Sequence, residues 1–127
     1  MSPAFVLHRW PYQDTSLLLE LFTPEHGRFR AIAKGAKRAK SPWRSILHPF
    51  IPLQIEPRGR HELQTLVSAE ALALAFPLQG IALYSAFYVN ELIQRLTTPY
   101  HANEQLFRDY QQTLELLTKV EQVEPIL

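Results

Sequence analysis

The sequence predicts an α+β protein in which a five-stranded β-barrel is followed by a helical hairpin. About the first 75 residues hold short apolar runs, separated by proline and glycine, as in strands joined by turns. From Gly80 onward the apolar residues recur at helical spacing. Because 46% of the 127 residues are hydrophobic, the chain can bury a core.

The first two strands are predicted at residues 5–10 and 16–23. Pro11 closes the first of them. The second alternates, so that its leucines share one face and Glu20 lies on the other. The leucine face holds Leu17, Leu19 and Leu21.

A turn at residues 24–27 leads into a third strand at residues 28–34, with Gly27 supplying the positive φ. Alternation assigns one face of this strand to the core and leaves the other to solvent. The core face holds Phe29, Ala31 and Ala33. The opposite face holds Arg28, Arg30, Ile32 and Lys34, so three basic residues project together.

Residues 35–41 form a basic loop. Ser41 followed by Pro42 resembles a helix N-cap with proline at the first helical position, which predicts one short helical turn through Leu47. The fourth strand is predicted at residues 49–57, where the prolines suit an edge strand or a bulge.

The fifth strand is predicted at residues 63–71, after a hairpin tip at residues 58–60. Five short strands with a small helical element between the third and fourth indicate a barrel of the OB type. We therefore assign residues 1–77 to an OB-type domain and residues 78–127 to a partial helical domain.

Two helices are predicted in the second domain, at residues 80–97 and 104–120, with Pro99 ending the first. Residues 71–90 carry no charge, and 20 residues could cross a bilayer. Pro77 and the turn that follows it interrupt this stretch, so we predict no membrane segment.

Charge is unevenly distributed along the chain. Residues 1–60 hold ten Lys and Arg against four Asp and Glu, a balance of +6, whereas residues 61–127 have a balance of −5. Seven basic residues and no acid lie between Glu25 and Glu56. Such a concentrated positive field is typical of proteins that bind polyphosphate backbones, although a solvated loop is the simpler alternative.

Trp43 lies at the end of the basic loop, where it can either stack on an unpaired base or plug the end of the barrel. The basic face of the third strand and the adjoining loop together predict a nucleic-acid-binding site. Its members are Arg28, Arg30, Lys34, Lys37, Arg38, Lys40, Trp43 and Arg44.

No catalytic or metal site is predicted. The chain has no cysteine, no HExxH, no GxSxG and no paired carboxylates, and its glutamates fall mostly on predicted solvent faces. The five histidines are far apart in sequence, without ligand-like spacing. Residues 35–41 superficially resemble a phosphate loop but lack its second glycine.

Several ordered motifs resemble one family, the RecO recombination mediators of bacteria. They are AFVLHR at 4–9, PYQDTSLLLELFT at 11–23, EHGR at 25–28, AKGAKR at 33–38, HPF at 48–50 and YVNEL at 88–92. The resemblance implies an OB-fold N-terminal domain, binding of single- and double-stranded DNA, and annealing of complementary strands without a cofactor. It also implies cooperation with RecR and the single-stranded-DNA-binding protein in loading recombinase, in the bacterial cytoplasm at the nucleoid.

Members of that family are usually longer, so this chain is either a fragment or a shortened form that pairs with itself or another protein. Some members carry a four-cysteine zinc site, which a chain without cysteine cannot form. Two other functions stay open. One is a protein-interaction module whose basic loop binds an acidic partner segment. The other is a hydrolase, which no arrangement of catalytic residues in the sequence supports.

Overall fold

The computed structural model describes residues 1–59 and 63–123, with side chains described as far as residue 120. These residues form five strands and two helices. In chain order they are β1 (Ser2–Tyr12), β2 (Ser16–Thr23), β3 (Gly27–Ala33), β4 (Leu53–Arg58), β5 (Leu63–Ala71), α1 (Gly80–Leu96) and α2 (Glu104–Val123). The strands close into a barrel in the order β1-β2-β3-β5-β4, in which β3 and β5 pair in parallel and the other neighbours are antiparallel. The predicted fold class is confirmed.

The barrel interior is filled by the alternating residues of β2 and β3 that the sequence assigned to it, together with residues of β4. Leu19 and Leu21 of β2 and Ala31 of β3 are fully buried there, and Leu53 and Ile55 of β4 close the far side. Each buried leucine or isoleucine contributes roughly 2 kcal/mol through removal of its surface from water. The period-two pattern of the sequence therefore identifies the residues of the barrel's inner face.

Part of the outer face of β1 and β2 is buried as well, because both helices pack on Phe5, Leu7 and Phe22. Phe5 lies edge-on to Tyr110, with ring centroids 5.1 Å apart, and Phe22 lies 5.4 Å from Phe107. A buried polar link joins the same layers, in which the amide of Asn90 donates to the Leu7 carbonyl (3.1 Å) and the Tyr110 hydroxyl donates to Asn90 Oδ1 (2.6 Å). Burial raises the pKa of Tyr110, so its hydroxyl keeps the proton that it donates.

The first strand is longer than predicted. It begins at Ser2 and continues through Pro11 to Tyr12, so the prediction that Pro11 closes it was wrong. β4 pairs with β1 only between Ser2 and Ala4, which leaves one edge of β1 without a described strand partner near Pro11. Proline has no backbone N–H, and at such an edge this absence removes no ladder hydrogen bond, so the strand can continue through Pro11.

The fourth strand is shorter than predicted and begins at Leu53. Phe50 has φ 71°, which breaks the extended run, and its ring packs 4.9 Å from that of Phe87 on α1. Pro49 forms an isolated parallel bridge with Val6.

The predicted hairpin tip includes Arg60, which lies outside the described residues. The division at residue 77 stays a prediction, and no helix within the described residues is long and apolar enough to span a membrane.

Gly27, in the β2–β3 turn, is required on two counts. It has φ +67°, and a Cβ at this position would lie 2.3 Å from the carbonyl oxygen of His101 in the segment between the helices. We expect Gly27→Ala to lower the free energy of unfolding by about 2–3 kcal/mol, since backbone strain and a clash with main chain combine. Urea unfolding measures the loss.

The matched control for this prediction is Gly35→Ala. Gly35 has a similar φ of +73°, but its Cβ would meet only the flexible side chain of Arg38, at 3.7 Å. This variant carries the backbone strain alone, about 1 kcal/mol. Equal losses in the two variants would show that the contact between Gly27 and His101 is unimportant.

Candidate nucleic-acid interface

The segment between β3 and β4 carries most of the predicted cations, and we call residues 34–47 the basic loop. Ala36 and Leu47 are buried in the barrel core near its two ends. The backbone N–H of Lys37 donates to the carbonyl of Thr15 in the β1–β2 turn (2.8 Å). The basic loop is therefore held against the barrel at several points along its length.

The helical turn predicted from Ser41 is present as a pair of hydrogen bonds. Ser41 Oγ accepts from the N–H of Trp43 (3.2 Å), and the N–H of Leu47 donates to the Trp43 carbonyl (3.0 Å). Trp43 is half-buried and packs against the barrel core, as the plugging alternative expects. Its stacking role stays a prediction.

Arg9 of β1 holds the far end of the basic loop. Its Nη1 donates to the Leu47 carbonyl (2.9 Å) and lies 2.6 Å from His48 Nδ1. His48 Nε2 lies 2.9 Å from the Arg44 carbonyl oxygen, so a ring protonated there donates to Arg44 while Nδ1 accepts from Arg9. Desolvation lowers the pKa of Arg9, although an arginine keeps its charge in proteins.

Five cations of the basic loop are exposed and have no acidic partner within 4.0 Å among the residues that the structure describes. They are Lys34, Lys37, Arg38, Lys40 and Arg44. An anchored loop with uncompensated positive charge attracts anions without having to lose an internal ion pair first.

Arg28 is placed differently from these five, because it serves as a structural link. Only 11% of its side chain is exposed, and its Nη1 contacts Glu20 Oε2 at 3.3 Å. Its Nε and Nη2 donate to the hydroxyl (2.9 Å) and the carbonyl (2.6 Å) of Thr97, at the end of α1. This arrangement joins the barrel to the helices and leaves little of the guanidinium open to a ligand. The predicted DNA contact of Arg28 stays untested.

Glu20 is the residue that sequence analysis missed. It was expected to face solvent, but its side chain is only 2% exposed and lies against the arginines of β3. Its two carboxylate oxygens contact Arg28 and Arg30, and the site keeps a net charge of +1. The sequence shows one acid on β2 and two arginines two residues apart on β3. Only the register of the two strands shows that the arginines lie beside the acid.

Arg30 lies at the border between this ion-pair site and open solvent. Its Nε donates to Glu20 Oε1 at 3.2 Å, while 53% of its side chain is exposed. Its guanidinium lies over the ring of Trp10, 5.1 Å from the ring centroid. The sequence placed Trp10 on a strand but gave no reason to associate it with Arg30.

A cleft of about 510 Å³ opens beside Glu20, between β3 and the segment that joins the helices. It is lined by Glu20, Arg28, Phe29, Arg30, Pro99 and Tyr100. Both oxygens of its single carboxylate are occupied by arginines, which is unsuited to acid–base chemistry and suited to holding an anion. Among the described residues no group of three or more His, Asp or Glu side chains could hold a metal ion.

Comparison with known proteins places both parts of the chain in one family. Residues 1–75 match the family described as "Recombination protein O N terminal", and residues 77–127 match "Recombination protein O C terminal". A protein of Idiomarina loihiensis named "DNA repair protein RecO" is 52% identical over 126 residues, which cover 98% of this chain and 54% of that protein. The protein of the same name from Haemophilus influenzae strain 86-028NP is 50% identical over 127 residues, which cover 100% of this chain and 54% of that protein. The chain thus spans about half the length of the curated relatives it matches.

Proposed function

Because this chain belongs to the RecO family, we propose that it is a non-enzymatic DNA-binding module of recombinational repair. The observation that carries the proposal is the anchored basic loop, whose five exposed cations have no acidic partner among the described residues. These cations bind the phosphates of single- and double-stranded DNA. Phosphate contacts carry no base information, so binding is independent of sequence.

Strand annealing follows from the same chemistry. Two complementary strands repel each other, and cations that neutralise the phosphates of both lower the cost of bringing them together. We infer that this module works with RecR and the single-stranded-DNA-binding protein to help load recombinase in the bacterial cytoplasm, as the family resemblance implies. Annealing by this module requires no metal or cofactor in this proposal, since no covalent bond is made or broken.

The salt dependence of binding tests this function directly. If five cations contact single-stranded DNA, log K falls against log[salt] with a slope of about −3.5, and on duplex DNA the slope is about −4.5. We expect these slopes from a fluorescence-anisotropy titration between about 50 and 200 mM salt with matched single- and double-stranded probes. A slope near zero on both probes would contradict the proposal.

The alternative function is a module that binds an acidic protein segment. It is supported by the same basic loop, because exposed cations attract carboxylates as well as phosphates. Competition between an acidic peptide and an oligonucleotide of equal charge separates the two functions. We expect the oligonucleotide to bind more tightly, because its charges are spaced as a continuous phosphate backbone.

A further inference from the structure

A patch of aromatic, apolar and basic side chains lies on the outer face of β1, β2 and β3, and we call it the outer patch. The register aligns these side chains in two rows that cross the three strands, one row being Trp10, Leu18 and Ile32 and the other His8, Glu20 and Arg30. The helices pack elsewhere, on the part of the outer face that holds Phe5, Leu7 and Phe22. Trp10, Leu18 and Ile32 belong to neither core cluster and are only half-buried.

Trp10 and Arg30 are held in a defined arrangement within the outer patch. The Arg30 guanidinium lies 5.1 Å from the centroid of the Trp10 ring, and the ring of His8 meets Trp10 edge-on at 4.5 Å. Glu20 accepts a hydrogen bond from Arg30 Nε and so limits the rotation of the guanidinium. The N–H groups on Nη1 and Nη2 of Arg30 make no hydrogen bond to any residue in the described part of the chain, which leaves them available to an anion.

The charge of the outer patch favours an anionic occupant. Its acid, Glu20, is 2% exposed and shared between two arginines, so it presents no free negative charge. Lys34, the first residue of the basic loop, follows four residues after Arg30, roughly 13 Å along the strand direction. Asp14, exposed in the turn after β1, is the acid nearest to Trp10 in sequence and makes no ion pair within the described residues.

We propose that Trp10 and Arg30 form a stacking site for one unpaired base of a bound single strand. The base stacks on the indole–guanidinium pair while the free N–H groups of Arg30 hold the adjoining phosphate. The DNA strand then continues from this site to Lys34 and along the rest of the basic loop. In a duplex the bases are already stacked on their neighbours, so this site favours single strands. The inference rests on the proposed function and adds a position at which unpaired bases are recognised.

Tryptophan fluorescence tests the site, because Trp10 and Trp43 are the two tryptophans of the chain. In the Trp43→Phe variant all indole emission comes from Trp10, and in the Trp10→Phe variant it comes from Trp43. We expect a dT oligonucleotide to quench Trp10 emission saturably, at the concentrations where anisotropy of a labelled oligonucleotide reports binding. A matched duplex should quench it much less.

Affinity provides the second readout. Trp10→Ala should weaken binding of the dT oligonucleotide by about 5- to 100-fold and binding of the duplex by less than about twofold, whereas Trp10→Phe keeps most of the affinity. Arg30→Gln should weaken binding of both the dT oligonucleotide and the duplex. If Trp10→Ala does not fold, the stacking site is tested by quenching of Trp10 fluorescence in the Trp43→Phe variant, which keeps Trp10 in place.

The outcomes separate the site from the function on which it rests. If oligonucleotides bind normally but the fluorescence of Trp10 does not change, or only that of Trp43 changes, the stacking site is overturned. The proposed function then still stands. Failure of every oligonucleotide to bind would overturn both. Quenching of Trp10 by an acidic peptide, with no response to DNA, would assign the outer patch to a protein partner and contradict the proposal.

Discussion

Replacing Glu20 with glutamine is expected to lower the free energy of unfolding by about 3–5 kcal/mol, a large part of the stability of a domain of this size. Arg28 is 11% exposed and depends on Glu20 for charge compensation at 3.3 Å. Removing that carboxylate leaves a guanidinium positive and buried without a counter-ion, and desolvation of an unpaired charge is costly. Urea unfolding of the variant and the parent protein measures the difference.

The matched control for Glu20→Gln is Glu91→Gln on α1. Glu91 and Arg95 approach more closely, at 2.9 Å, but their side chains are 51% and 74% exposed. Exposed pairs contribute roughly 0–1 kcal/mol, so this variant should unfold close to the parent. Burial and not distance decides the magnitude, and equal losses in the two variants would refute this reasoning.

A double-mutant cycle separates the lost pair from general disruption. Arg28→Met alone leaves Glu20 with Arg30 as its partner and removes the bonds to Thr97. Glu20→Gln combined with Arg28→Met removes both buried charges, so the double variant should be more stable than the sum of the single losses predicts, by about 1–3 kcal/mol. Simple additivity would mean that the two side chains act independently.

Neutralising the centre of the basic loop is expected to weaken single-stranded DNA binding by roughly 50-fold near physiological salt, if each lost phosphate contact removes about 0.7 from the salt slope. The change is Lys37→Gln, Arg38→Gln and Lys40→Gln together, which should move the slope from about −3.5 to about −1.4. All three side chains are exposed and make no ion pair among the described residues, so unfolding should change by less than about 1 kcal/mol.

The control for the loop variant removes the same amount of charge from the helices. Arg95, Arg108 and Lys119 are exposed on α1 and α2, and the first two pair with glutamates of their own helices. Changing these three to glutamine should reduce affinity by less than about threefold. If both triple variants lose affinity equally, net charge governs binding and the basic loop is no specific site. Unfolding of the loop variant would instead show that its cations are structural.

The barrel core follows from the local sequence pattern, because pattern and tertiary structure agree there. Leu17, Leu19 and Leu21 of β2 and the alternating Phe29, Ala31 and Ala33 of β3 are buried as predicted, because a period of two allows only one inward face. Two predictions were wrong, that Pro11 ends β1 and that β4 begins at residue 49. The first error reflects the short pairing of β4 with β1, and the second reflects the positive φ of Phe50. Neither strand pairing nor that φ can be read from local composition.

The amino-acid order alone determined the barrel-then-helices architecture, the concentration of cations between β3 and β4, and through its ordered motifs the family. These depend on neighbours along the chain, whose side-chain direction and charge follow from residue type and spacing. Only the tertiary structure decided which cations are available. Arg28 and Arg30 are equivalent in the alternation of β3, yet Thr97, from far along the chain, covers the first and leaves the second beside Trp10. Electrostatic compensation depends on distance in space and on burial, and both are set by the register and by the packing of the helices.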